Sequence, residues 1–133
     1  MQIKSKLPNL ETTIFAVMSA MANKYNAINL SQGYPNFKSD EKLMDLVYDA
    51  MKSGYNQYAP MQGSFVLRDI IFKKFNLLYN TSYNPENEIT VTAGATQAIY
   101  TAITAVVKQG DEVIVFRPAY DCYVPTIKLN GGK

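Results

Sequence analysis

The chain has 133 residues, 47% of them hydrophobic, 12% aromatic and 18% charged, which describes a globular domain able to bury a moderate core and excludes disordered, fibrous and coiled-coil classes. Its net charge of +2 is spread along the chain, the only dense basic stretches being Lys4 with Lys6 and Lys73 with Lys74, so nucleic acid is not an expected partner. One cysteine, Cys122, and no histidine exclude a disulfide framework and a Cys/His zinc site, and fit a reducing, cytoplasmic setting.

In chain order, Met1 to Leu10 has no apolar signal-type core, and no run reaches the roughly 18 apolar residues of a membrane span, so the chain reads as soluble and unprocessed. From Thr12 to Tyr25, Ile14, Val17, Met18 and Met21, with Ala22, recur at helical spacing. A short run, Ile28 to Leu30, follows, and then Gly33-Tyr34-Pro35-Asn36, which is turn chemistry. These first 38 residues read as an arm and loop. Ser39 or Asp40 can cap a second helix with Leu43, Val47, Ala50 and Met51 on one face, ended by Gly54. After the tyrosine-rich loop Tyr55 to Gly63, a third helix is expected from about Ser64 to Tyr79, with Leu67, Ile70, Ile71, Phe75 and Leu78 inward. Asn84 and Pro85 make the next turn.

The period then changes. Ile89 and Val91 alternate with Thr90 and Thr92 as in a strand, which runs into Gly94-Ala95-Thr96 and a helix with Ala98, Ile99, Ala102, Ile103 and Val106 as its buried stripe. Gly110 closes it, and Val113 to Phe116 form a continuous apolar strand. Strand, helix, strand predicts an α/β class with a parallel sheet and a right-handed crossover.

The turn at Gly94 is the best candidate for an anion site, because a helix N-terminus offers amide donors and partial positive charge, and Gly94 with Ala95 permits close approach. Thr96 can add a hydroxyl, as N-cap or ligand. Gly94 and Thr96 serve equally to shape a tight turn, and with neither a Walker lysine nor G-x-G-x-x-G nearby a nucleotide is disfavoured. At the carboxyl end of the second strand, where open α/β sheets bind ligands, Tyr120 offers an aromatic face for a planar ligand or for packing. Tyr58 is either a phenolic donor or a surface aromatic, and Gly33 either a turn glycine or something more. Cys122, without a histidine as base, is a packing residue.

Together these segments form a family pattern. Asn29 to Phe37 (NLSQGYPNF), Asn56 to Gly63 (NQYAPMQG) with Leu67-Arg68, Thr90 to Ala98 (TVTAGATQA), Gly110 to Val115 and Pro118 to Tyr123 resemble the class I, fold-type-I aminotransferases over nearly the whole chain. Within that family the sequence is similar to methionine and kynurenine aminotransferases. The resemblance implies pyridoxal 5'-phosphate as cofactor, an amino acid and a 2-oxo acid as substrates, and a homodimer, with residues 1–38 as N-terminal arm and small-domain segment and 39–133 as the first part of the large domain. It implies that Gly94, Ala95 and Thr96 hold the cofactor phosphate, that Tyr120 stacks on the pyridine ring, that Tyr58 reaches the phosphate of the neighbouring subunit, and that the Gly33 backbone meets the substrate carboxylate. It also implies that the pattern continues past Lys133. The asparagine and tyrosine at the phenolic oxygen, the aspartate at the ring nitrogen, the Schiff-base lysine and the carboxylate-binding arginine have no counterparts here, so no catalytic residue is expected in this chain and no turnover by it alone. The other readings are a non-catalytic fragment or oligomerising module, and, in a complete enzyme, β-elimination from cysteine conjugates.

Overall fold

The computed structural model describes residues 3–33 and 35–133; Met1 and Gln2 of the opening stretch and Tyr34 of the Gly33-to-Asn36 turn lie outside the described residues. Among the described residues five helices follow one another: α1 (Ile14–Lys24), α2 (Glu41–Lys52), α3 (Phe65–Tyr79), α4 (Ala95–Val106) and α5 (Tyr123–Leu129). The chain divides into two units, one of Met1–Asn36 with Thr96–Lys133, the other of Phe37–Ala95.

In the Phe37–Ala95 unit the cap of α2 is Asp40, whose carboxylate accepts from the Leu43 amide at 3.1 Å, satisfying one of the donors a helix start leaves free. Gly54 follows its end at φ +88°, the left-handed conformation open to glycine. Ser64 precedes α3 without a side-chain cap bond, and Asn80 ends it in the left-handed region at φ 52°. The expected inward face of α3 is turned. Leu67, Ile70 and Leu78 are exposed, whereas Arg68 is buried and Asp69, Ile71 and Phe72 are half-buried. A guanidinium placed among carbonyl acceptors, described below, sets that rotation; apolar periodicity does not register it.

In the other unit Thr13 caps α1, its hydroxyl accepting from the Ala16 amide at 3.3 Å. The apolar face of α1 borders an open groove of about 470 Å³ shared with Ile28 and Leu30. Helix α4 ends at Val106, four residues before Gly110, and α5 is an element the periodicity did not predict. Pro125 within Tyr123-Val124-Pro125 reads as a breaker, yet in a first turn its missing amide costs nothing. Asn130 Nδ2 donates to Thr104 Oγ1 at 3.1 Å, tying the end of α5 to α4.

No strand forms among the described residues, so the two expected from Ile89 and from Val113 are not realised as a sheet. Backbone hydrogen bonds do run between residues 110–113 and 131–133: Gly110 N to Gly131 O, Lys133 N to Asp111 O and Val113 N to Lys133 O, at 2.8 to 2.9 Å. Both segments advance in the same direction, but three bonds, two of them to Lys133, do not make a ladder. Along Val113 to Phe116, moreover, exposure alternates: Val113 and Val115 are half-buried, Ile114 and Phe116 almost fully exposed, which is one-sided coverage rather than the burial on both faces expected from a continuous apolar run.

The expected packed core likewise does not form among the described residues. Ile127 is the only buried hydrophobic side chain among the described residues, and the stripes of α1, α2 and α4 stand largely open, with Ile14, Val17, Leu43, Val47, Met51 and Val106 all exposed. An amphipathic stripe is buried only when another element lies across it, and no second layer crosses these faces among the described residues. Among the described residues no helix is long and apolar enough to cross a membrane.

Candidate functional site

The turn into α4 is built by residues 91–95. The Val91 amide donates to Gln62 O at 2.9 Å, the Gly94 amide to Thr92 O at 2.9 Å, and Thr92 Oγ1 donates to Gly94 O at 2.9 Å. Gly94 sits at φ +88° with open space where a side chain would project. It is glycine for conformation, not for crowding, and the same openness leaves its backbone accessible. Because α4 starts at Ala95, the amides of Ala95 and Thr96 precede any residue able to bond an intrahelical carbonyl. Thr96 is therefore the second residue of the helix and not its N-cap, which corrects one of its two expected roles. Both side chains are exposed.

Tyr120 is half-exposed and meets Tyr123 edge-on, ring centroids 6.1 Å apart at 71°. Both line an open apolar groove of about 610 Å³ with Ile99 and Ile103 of α4, Phe116, and Ile127 of α5. Cys122, next to Tyr123, is half-buried; burial first, and the Asp121 carboxylate second, push its thiol up, so the thiolate is disfavoured, in keeping with a packing role.

Tyr58 is fully exposed in the loop before Pro60. Gly33 has no atom within 4 Å of a built Cβ and no positive φ, so neither turn geometry nor crowding requires glycine there. Upstream of it, Asn29 receives the Ser31 amide and hydroxyl on Oδ1 and donates to Ser19 Oγ of α1 at 3.1 Å, which fastens the segment. Gly33, Thr96 and Tyr120 belong to one unit, Tyr58, Gly94 and Ala95 to the other. Lys128 lies exposed in the last turn of α5, and Lys133 is engaged through its backbone. Among the described residues no three Cys, Asp or Glu side chains gather as a metal site.

Sequence reasoning passed over Arg68. Its signal was a charge in register with Ile71, Phe72 and Phe75, at the spacing of one helix face.

Comparison with known proteins gives the class. Residues 25–133 match the family "Aminotransferase class I and II", and the chain belongs to that family. It is 52% identical over 129 residues to the methionine aminotransferase of Escherichia coli, covering 97% of this chain and 33% of that protein. A solved Escherichia coli structure reported with methionine aminotransferase function superposes with a TM-score of 0.93 at 51% identity, over 99% of this chain and 35% of the other. The N-succinyldiaminopimelate aminotransferase of Mycobacterium tuberculosis gives 0.89 at 39% identity, over 98% and 34%. The chain thus spans about a third of the length of the relatives it matches. Its structural neighbours are fold-type-I aminotransferases, although no strand forms among the described residues.

Proposed function

We propose that this chain is the N-terminal part of a pyridoxal 5'-phosphate-dependent aminotransferase that moves an amino group from a methionine-type or aromatic amino acid to a 2-oxo acid. The observation that carries the reading is the 52% identity to a methionine aminotransferase along almost the entire chain. In this reading residues 1–38 are arm and small-domain segment, and residues 39–133 open a large domain whose mainly parallel sheet is completed by further strands. The setting is cytoplasmic and the assembly a homodimer.

The residues present fit the phosphate and ring of the cofactor. The glycine turn at Gly94 leaves the Ala95 and Thr96 amides open to an anion, and Tyr120 presents a half-exposed ring beside an apolar groove. When bound, pyridoxal phosphate supplies an aldehyde for the amino group and a conjugated ring that accepts electrons. Ala95, Thr96 and Tyr120 hold it; the full exposure of Tyr58 suits a hydroxyl that acts across a subunit boundary; the unhindered Gly33 backbone suits close approach of a substrate carboxylate. No residue of this chain is assigned proton transfer.

Titration with pyridoxal phosphate, followed by absorbance, and assay of 2-oxo acid release from methionine and aromatic amino acids test the reading. The full-length protein should bind and turn over; the 133-residue chain should bind weakly or not at all and should not turn over. Turnover by the 133-residue chain that vanishes on changing one lysine would overturn the division of labour. A full-length protein indifferent to the cofactor would overturn the reading itself. The exposed apolar stripes favour a second reading, an association module without chemistry, which predicts that last result.

A further inference from the structure

Arg68 is the one charged side chain buried among the described residues, with 5% of its surface exposed. A buried guanidinium normally faces a carboxylate, because an unpaired interior charge is costly. Here its hydrogen-bond partners are backbone carbonyls: Nε donates to Gly63 O at 3.1 Å, and Nη1 donates to Pro85 O and to Glu86 O, the latter at 3.1 Å, while the guanidinium lies 5.6 Å from the Phe65 ring centre. The rigid fork thereby joins α3 to two segments, one five residues before Arg68 and one 17 and 18 residues after it.

Each segment carries hydrogen bonds of its own. Gly63 donates to Pro60 O at 2.8 Å, closing the loop that carries Tyr58. In the other segment the Asn84 amide donates to Glu88 Oε2 at 2.6 Å and the Glu86 amide to Asn84 Oδ1 at 2.8 Å. From the loop, Gln62 O takes the Val91 amide, and Gly63, at φ +98°, approaches Val91 so closely that a Cβ would stand 2.8 Å from Val91 Cβ. Val91 is followed by Thr92 and Gly94, hydrogen-bonded to each other as the turn into α4.

We propose that Arg68 is a positioning residue: it clamps the Pro60–Gly63 loop and the Pro85–Glu86 turn, and through the Gln62–Val91 bond it holds the Gly94–Ala95 turn in the shape that receives a phosphate. This rests on the reading of Gly94–Ala95 as a phosphate turn. Lysine cannot replace the fork, since one ammonium cannot serve both carbonyl directions from a planar frame.

Arg68→Gln, Arg68→Lys and Arg68→Gly in the full-length protein test it by amide hydrogen exchange and by pyridoxal phosphate titration, each with and without added guanidinium ion. In Arg68→Gln the Val91 amide should exchange about tenfold faster and cofactor affinity should fall about tenfold, the equivalent of one charge-assisted hydrogen bond. The Asn80 amide, bonded at the far end of α3, should be unmoved. Arg68→Lys should recover little, and guanidinium should restore both readouts in Arg68→Gly while leaving the wild type unchanged. Unaltered Val91 exchange overturns the clamp. Faster Val91 exchange with undiminished affinity overturns its link to the phosphate turn, as does uniform loss of protection, Asn80 included, without guanidinium rescue. If Arg68→Gln does not fold, Arg68→Lys carries the same comparison. A wild type that takes no cofactor refutes the phosphate reading instead, and Val91 exchange then decides the clamp alone.

Discussion

The two units of this chain are held together by opposite means. Phe37–Ala95 has a buried guanidinium among backbone carbonyls and no buried hydrophobic side chain, whereas the unit of Met1–Asn36 and Thr96–Lys133 has Ile127 and Thr126 buried where α5 turns back toward α4. There, glycines replace side chains at the contact: a Cβ on Gly132 would stand 2.7 Å from Ile127 Cγ2 and 2.9 Å from Val107 Cγ1. The contrast shows how a segment with little apolar burial can still have a defined shape. Directional hydrogen bonds fix geometry, while apolar contact supplies most of the free energy where it exists.

Ile127→Ala sharpens that contrast most. Removing the one hydrophobic side chain buried among the described residues should destabilise the full-length protein by about 2–5 kcal/mol, measured by denaturant unfolding, with the loss of amide protection falling first on α5. A loss appearing equally in Phe37–Ala95 would break the distinction between the units. Gly63→Ala should cost about 1–3 kcal/mol, because an alanine must take φ +98° and displace Val91; a neutral result would mean that the loop is looser than its hydrogen bonds suggest. Asp40→Ala should remove about 1 kcal/mol and raise exchange at the Leu43 amide, a local effect confined to the start of α2. The smallest effect concerns the other unit. Asp121→Asn should lower the alkaline midpoint of Cys122 alkylation, since a carboxylate disfavours the thiolate beside it, but should not return it to the ordinary thiol value, because burial is the larger cause. An unchanged midpoint would assign the whole rise to burial.

Local elements were legible wherever the signal was local. Asp40 is a cap because its side chain reaches an amide three residues on, and Gly54 and Gly94 mark an end and a turn because their φ is positive. The family, too, was legible, in the order of its short segments. The face that α3 turns inward was not, nor was α5 legible past its proline, because both depend on what stands opposite: carbonyls around Arg68, and α4 with Val107 beside Ile127 and Gly132. Of the candidate site, residue types at Gly94, Ala95, Thr96, Tyr120, Tyr58 and Gly33 could be named from the sequence, but not that Thr96 lies inside the helix or that Gly33 has no conformational reason to be glycine. The amino-acid sequence alone determined the first four helices, the cap of α2, the glycine turn and the family, since these follow from neighbours a few residues apart. Only the tertiary structure decided which stripes are covered and that the expected strands do not pair among the described residues, because burial and ladder hydrogen bonds exist only when a second segment, distant in the chain, occupies the adjoining space.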